Sequence, residues 1–295
     1  MIGKDGGYMR IVVCVKQIVH TYSRTGMDPE RNYQAPEDSL LRVNPYDERA
    51  MEMASGLKSV LGGGEIIVVM LGPLLAESEL MRCLALGADQ VVRIDQADPM
   101  DPWRKSSLLA HAIKALEPNL VLCGKESLDT QNGQVGAFMA HHLGLPFVSA
   151  ITDLTIEESI ATVQRSAGKG VREVIECNLP AIFSVDLGVG VTRLPTYEDK
   201  KRAQSLPIRE LTIEEEMSPP KVYSEGVFPP RPRPKQVPPI DSELDAHDRI
   251  HQLFSGSRVE KKGVILEGSR ESQVEGMISF LKEYGFLEEK KPDGA

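Results

Sequence analysis

Aromatic side chains are scarce, 5% of the 295 residues with a single tryptophan. A protein that stacks unpaired bases needs a platform of such rings, so single-stranded nucleic acid is a poor fit. Positive charge is also in deficit. The formal net charge is -9, whereas a general nucleic-acid binder presents a basic face to phosphates. No run of 18 apolar residues exists, so no segment is long and apolar enough to span a bilayer as a helix. Residues 1–8 lack the apolar core of a signal peptide and are expected to be a disordered lead. Cysteine is sparse as well: Cys14, Cys83, Cys123 and Cys177 are far apart, and no C-x-x-C occurs. That excludes the usual local zinc and iron–sulfur spacings, and reduced thiols in a cytoplasmic protein are the expectation. No G-x-S-x-G, H-E-x-x-H or Ser-His-Asp signature is found, so no catalytic residues are expected. His247 and His251 stand four apart without a local third ligand, which reads as a solvated helix face.

What the chain does have is alternation. Short Val- and Ile-rich runs at 10–17, 65–71, 90–94, 119–123 and 147–151 are apolar without strict period two, as strands buried on both faces are. Between them lie helix patterns with clear punctuation. Asn44-Pro45 supplies a cap and a first-turn proline, with Asp47 and Glu48 behind it. Further helices are predicted over 75–86, from Asp101-Pro102 to before Pro118, and over 133–143. The pattern predicts an α/β fold, a doubly wound and mostly parallel sheet of the Rossmann-like, adenine-nucleotide-binding kind. We assign residues 9–208 to this domain, with a hairpin excursion at 151–178. Residues 219–239 hold eight prolines, so 209–240 reads as an extended arm. Residues 241–295 read as a helical docking segment. Its helix near 241–254 and its short strand at 263–266 precede a last helix, capped by Ser269 and striped with Val274, Met277, Ile278 and Leu281.

In an open parallel sheet, ligands bind beyond the carboxyl ends of the strands near the switch in strand order. That rule selects residues 14–17, 71–73 and 123–136. The last is a polar, glycine-bearing loop between a buried strand and a helix start. Its amides suit a phosphate, but an ordinary polar connection fits the spacing equally well. It is neither a Walker loop nor a G-x-G-x-x-G fingerprint.

Several segments, in order, resemble the electron transfer flavoprotein beta family. They are VVCVKQ (12–17), NPYDERAME (44–52), MLGP (70–73), LALGAD (84–89), NLVLCGKESLDTQNGQVG (119–136), LGLP (143–146) and LPAIFSVDL (179–187). The resemblance implies an electron carrier subunit rather than an enzyme. It also implies a heterodimer with an alpha subunit that carries an FAD. The beta chain of such pairs holds an adenine nucleotide, AMP in simple carriers and a second FAD in electron-bifurcating members. Carried onto this chain, that site comprises Cys14 and Lys16, then Asn44, Tyr46 and Asp47, then Leu71 and Gly72. It continues through Cys123, Gly124, Lys125, Ser127, Asp129, Asn132, Gly133, Gln134 and Val135.

Two departures touch the phosphate side. Val19-His20 stands where many members have Pro-Asp, and Asp129 is followed by Thr130-Gln131-Asn132 rather than further acids. The NPYD and VLCGK-to-GQVG runs incline the reading toward FAD, with AMP as the alternative. A partner-recognition loop is implied after the last strand, with Tyr197 as its anchor amid Arg193, Lys200 and Lys201. The partners implied are an acyl-CoA dehydrogenase or similar flavoenzyme and a membrane-associated, quinone-reducing iron–sulfur protein. A stand-alone adenine-nucleotide sensor of the universal-stress type shares the architecture and is the alternative reading. An ATP-cleaving pyrophosphatase needs an S-G-G-x-D-S-like loop, and Gln17-Ile18-Val19-His20 is unlike it.

Overall fold

A computed structural model of the chain describes residues 8–19, 41–73, 77–95, 101–188, 193–213, 221–222, 225–226, 244–255, 265–283 and 286–287. The first strand, β1 (Arg10–Val15), is buried from Ile11 onward. It stops two residues short of the predicted run. The Lys16 amide turns away from the ladder to the Asp47 carboxylate, and Asn44 N–H takes the Lys16 carbonyl. A small antiparallel pair follows, β2 (Gln17–Val19) with β3 (Leu41–Val43). Helix α1 (Pro45–Val60) begins at the expected Asn44-Pro45.

The alternation then proceeds through β4 (Glu65–Leu71), α2 (Glu77–Ala85), β5 (Gln90–Ile94), α3 (Pro102–Leu116), β6 (Leu120–Gly124) and α4 (Val135–Leu143). Helix α4 starts at Val135 rather than 133 because Gly133 has a φ of 61°, left-handed and incompatible with the helix. The excursion consists of β7 (Phe147–Glu157), β8 (Ile160–Gly168) and β9 (Val171–Asn178), and β10 (Ala181–Val185) returns to the buried sheet. After it come α5 (Tyr197–Ala203) and β11 (Ile208–Leu211).

The nine strands run in the order β11-β5-β4-β1-β6-β10-β7-β8-β9. Every neighbouring pair from β11 to β7 is parallel, and β8 and β9 add antiparallel. The protein is therefore an α/β fold with a large, mostly parallel sheet. Successive strands step outward from β1 through β4 to β5, then the chain crosses to β6 on the other side of β1. The switch point lies between β1 and β6. Side chains on one sheet face, Ile11, Val13, Ile66 and Val68 among them, pack with Ala50, Ala54 and Leu57 of α1. Val12, Cys14, Ile67 and Val121 on the other face pack with Leu108, Leu109 and Ile113 of α3 and with Met139 of α4. Each such Val or Leu withdrawn from water contributes about 1.5–3 kcal/mol, which is why the strand runs read as continuous apolar stretches.

Where the arm was expected, Lys221 and Val222 are described, and both backbone amides donate to the Asp101 carboxylate. Asp101 also caps α3 by accepting from Trp103 N–H at 2.8 Å, and Lys221 Nζ sits 3.8 Å from the centre of the Trp103 ring. Of the lead expected at 1–8, residues 1–7 lie outside the described residues, as do 214–220, 223–224 and 227–240 of the arm.

The chain divides into two compact units, Met1–Pro230 and Arg231–Ala295. The second contains α6 (Ala246–Ser255) and α7 (Arg270–Glu283). Ser269 Oγ accepts Ser272 N–H at 3.3 Å, the cap read from the sequence. Val274, Met277 and Ile278 on α7 are exposed. Of the strand expected at 263–266, residues 265 and 266 are not in a strand, and the other two are outside the described residues. Among the described residues, no helix is long and apolar enough to cross a membrane.

Candidate functional site

A cavity of about 110 Å³ opens at the switch point, beyond the carboxyl ends of β1 and β6. Its walls come from β1, the start of α1, the first turns of α3, the β6–α4 loop and the start of α4.

The NPYD turn braces the loop that forms the cavity rim. Asn44, 1% exposed, donates from Nδ2 to the Glu126 carbonyl at 2.9 Å and accepts Leu128 N–H at 3.2 Å. Tyr46 OH donates to Glu126 Oε1 at 3.0 Å. Asp47 divides its carboxylate between the two strand ends, Oδ2 taking Lys16 N–H at 2.8 Å and Oδ1 taking Gly124 N–H at 2.9 Å. Only glycine fits at 124, because a Cβ there would collide with the Asp47 carboxylate and with Tyr46 Cβ. Burial pushes the Asp47 carboxyl up to about 7 against the pull of the amides from Lys16 and Gly124. Burial and the Glu126 hydrogen bond push the Tyr46 phenol up to about 12.

Charges at the rim are paired. Lys16 Nζ meets Asp129 at 2.7 Å and Lys125 Nζ meets Asp186 at 3.1 Å. Burial works against ionisation of Asp129, but Lys16, the Ser127 hydroxyl and the Thr130 amide together outweigh it and hold the carboxyl below the usual range. Opposite lies the start of α4. The first amides of a helix have no partner within it and carry the positive end of its dipole. Here Gly133, Gln134, Val135 and Gly136 face the cavity. A Cβ on Gly136 would lie 3.0 Å from Cys123 Sγ and 3.1 Å from the Phe147 ring, so glycine lets α4 approach the sheet. The cradle suits a phosphate-bearing ligand: helix amides on one side, lysine ammonium groups on the other, and the apolar Cys14, Cys123, Leu109 and Met139 beneath.

Of the residues expected from sequence, Cys14, Lys16, Asn44, Asp47, Leu71, Cys123, Gly124, Lys125, Ser127, Asn132, Gly133, Gln134 and Val135 come together on the cavity wall. Tyr46 stands behind the wall, holding Glu126. Asp129 lies beside it on Lys16. Gly72 is off the wall as well, its amide on the Ile94 carbonyl and its carbonyl taken by Arg93.

Val15, Glu126, Thr130 and Gly136 lie in the strand-end segments 14–17 and 123–136 and are on the wall too; sequence reasoning missed Met139 and the wall contributed by α3, Pro102, Lys105 and Leu109. The strand-end rule extended to the Asp101-Pro102 helix start after β5 would have found the last three.

The expected recognition segment is split in character. Arg193 is drawn inward, donating to Asp199 at 2.9 Å and to the Ala85 carbonyl at 3.3 Å. Tyr197 is 82% exposed, and Lys200 and Lys201 are exposed beside it. Leu194, not anticipated, is 83% exposed. A leucine followed by proline just outside a capped helix was the available signal.

The parallel sheet and its strand-end cleft define the chain as a doubly wound α/β protein with a cavity at the switch point. The family model for the electron transfer flavoprotein domain matches residues 37–216. The beta subunit of the electron transfer flavoprotein of Bacillus subtilis is 35% identical over 247 residues, covering 81% of this chain and 85% of that one. Subunit CarD of the caffeyl-CoA reductase-Etf complex of Acetobacterium woodii is 37% identical over 179 residues, covering 60% and 68%. The beta subunit of Methylophilus methylotrophus is 28% identical over 215 residues, covering 70% and 80%. The chain belongs to the electron transfer flavoprotein beta family.

Proposed function

We propose that this chain pairs with an electron transfer flavoprotein alpha subunit and holds an adenine nucleotide in the β1–β6 cleft. In that heterodimer it serves as a carrier rather than an enzyme in its own right. It passes electrons from a flavin dehydrogenase, of the acyl-CoA dehydrogenase kind or similar, toward a downstream acceptor such as a membrane-associated quinone-reducing iron–sulfur protein, and it works in the cytoplasm. The observation that carries the reading is the braced loop 124–136, whose backbone is held open against the start of α4 by Asn44, Tyr46 and Asp47. The relatives named above are electron transfer subunits and lend no support to a stand-alone sensor of the universal-stress type.

FAD is the preferred nucleotide, on the NPYD and loop sequences. When bound, its isoalloxazine supplies the redox chemistry. The chain's part is binding and placement. Backbone amides at 133–136 receive phosphate oxygens, Lys16 and Lys105 offset their charge, and the apolar floor takes the adenine. AMP is the second reading, on the departures at Val19-His20 and Thr130-Gln131-Asn132. Leu194 and Tyr197 are the apolar anchors offered to the dehydrogenase, and the arm and α7 dock on the alpha subunit. Denaturing the purified heterodimer and counting released nucleotide tests the site. Two FAD per heterodimer supports the preferred reading, one FAD with one AMP the second. Absence of a second nucleotide overturns the site assignment.

A further inference from the structure

Three sulfur-bearing side chains line the cleft, and Cys123 Sγ lies 3.8 Å from the Phe183 carbonyl of β10. Cys14 on β1 and Cys123 on β6 are register partners on neighbouring parallel strands, and both side chains leave the same face of the sheet. Cys14 Sγ lies 3.9 Å from the Sδ of Met139 in the second turn of α4. All three residues line the cavity, where Cys14 and Cys123 keep 7% and 6% of their surface accessible.

We propose that Cys14, Cys123 and Met139 form a binding site for a soft, thiophilic divalent metal ion, and that ion and nucleotide exclude one another at the cleft floor. The exclusion rests on the nucleotide reading given above; the ion site rests on the sulfurs alone.

Spacing decides between an ion and a disulfide. Adjacent strands lie about 4.8 Å apart. A disulfide draws its Cβ atoms to about 3.8 Å, which here requires two central strands of a nine-stranded sheet to be pulled together. Two metal–thiolate bonds of about 2.3 Å each, in line, span nearly the strand spacing.

Charge decides which ion. Each thiol gives its proton to water and its electron pair to the metal, so two protons leave and the bis-thiolate of a divalent ion is neutral. A neutral complex is the form that an apolar wall tolerates. Thiolate and thioether donors select soft ions. Structural zinc takes four ligands in a tetrahedron, and among the described residues no group of three or more His, Cys, Asp or Glu is placed to hold a metal. A soft ion of linear preference, such as mercuric ion, needs only the two thiolates, with the Met139 thioether as a weak third donor. Both thiols are buried, so the pair is sheltered from bulky oxidants and alkylating reagents. It yields only to an ion whose thiolate bonds outweigh the loss of two protons.

The test is a titration of the full chain with mercuric chloride under argon, against a competing monothiol. The ultraviolet mercury–thiolate absorption and the intact mass of the complex report uptake. The expected result is a single tightly held ion per chain. Cys14→Ser and Cys123→Ser should each weaken it by about a hundredfold or more, the loss expected when one arm of a chelate goes. Met139→Leu, which keeps the volume, should weaken it by roughly tenfold and serves where a serine variant loses its native circular-dichroism spectrum. Cys177→Ser, on edge strand β9, should leave it unchanged. Unaltered uptake by folded Cys14→Ser and Cys123→Ser, or by Met139→Leu where it stands in for them, overturns the site. Saturating AMP should suppress uptake at the pair, and equal uptake with AMP bound overturns the exclusion. If equilibrium dialysis finds no AMP or FAD bound, the nucleotide reading fails, and the cysteine variants still decide the ion site.

Discussion

Strands β6 and β10 are parallel neighbours, and the segments that leave their carboxyl ends have opposite characters. After β6, the chain's polar groups are consumed internally: Asn44, Tyr46 and Asp47 take Glu126, Leu128 and Gly124, and the side chains of Lys16 and Lys125 close on Asp129 and Asp186. After β10, Arg193 and Thr196 tie the backbone down while Leu194 and Tyr197 stand in solvent at 83% and 82% exposure. A loop with its polar groups satisfied inward is built to hold a shape around a small ligand. A loop that spends capping bonds to present apolar side chains is built to meet another surface.

That contrast can be broken by substitution. The largest effect is expected at Gly124→Ala, where the new methyl group meets the Asp47 carboxylate and Tyr46 Cβ. We expect about 3 kcal/mol of lost stability, read as a lowered urea midpoint, with loss of nucleotide on purification. Asn44→Ala comes next. It strands the Glu126 carbonyl and the Leu128 amide, and about 2 kcal/mol should go the same way.

Asp47→Asn sharpens the electrostatic side of the comparison. The folded-state carboxyl is raised to about 7 from 3.8, so between those values the folded chain keeps a proton that the unfolded chain has released. Stability from this group is therefore lost as pH rises through that window, by up to about 1.4 kcal/mol per pH unit. The variant should flatten that slope in urea melts taken from pH 4 to 7.5. A slope unchanged in Asp47→Asn means that other groups set the pH dependence.

The smallest stability change is expected beyond β10. Leu194→Ala and Tyr197→Ala should move the unfolding free energy by no more than about 0.5 kcal/mol. If they are partner anchors, each should cost about 2 kcal/mol of dehydrogenase affinity, read from electron-transfer rate against partner concentration. A large stability loss at Tyr197 with unaltered partner kinetics would place this segment in the same class as the first.

How much of this was legible in the sequence follows from range. The Val-rich strands and the Asn44-Pro45 helix start announce themselves locally, and both were found where expected. The pair β2–β3 and strand β11 were not, since three or four residues show no period, and β11 exists only because β5 offers it an edge. The cavity floor was legible because strand ends point at it. The wall from α3 was not read, because the strand-end rule was stopped at β1, β4 and β6 and not carried on to the helix start that follows β5. Tyr46 and Asp129 are the instructive pair. Their motif placed them at the site, and the structure shows each one holding a neighbour that lines it. Residue types in a motif reveal proximity more readily than direction.

The Asp101 carboxylate joins two distant stretches of chain, which also meet where Lys221 Nζ lies over the Trp103 ring. It starts α3, and it holds the backbone of Lys221 and Val222. Mechanically, it is a hitch. Tension on the chain beyond Val222 is delivered to the first turn of α3, and Pro102 and Lys105 of that turn are cavity wall.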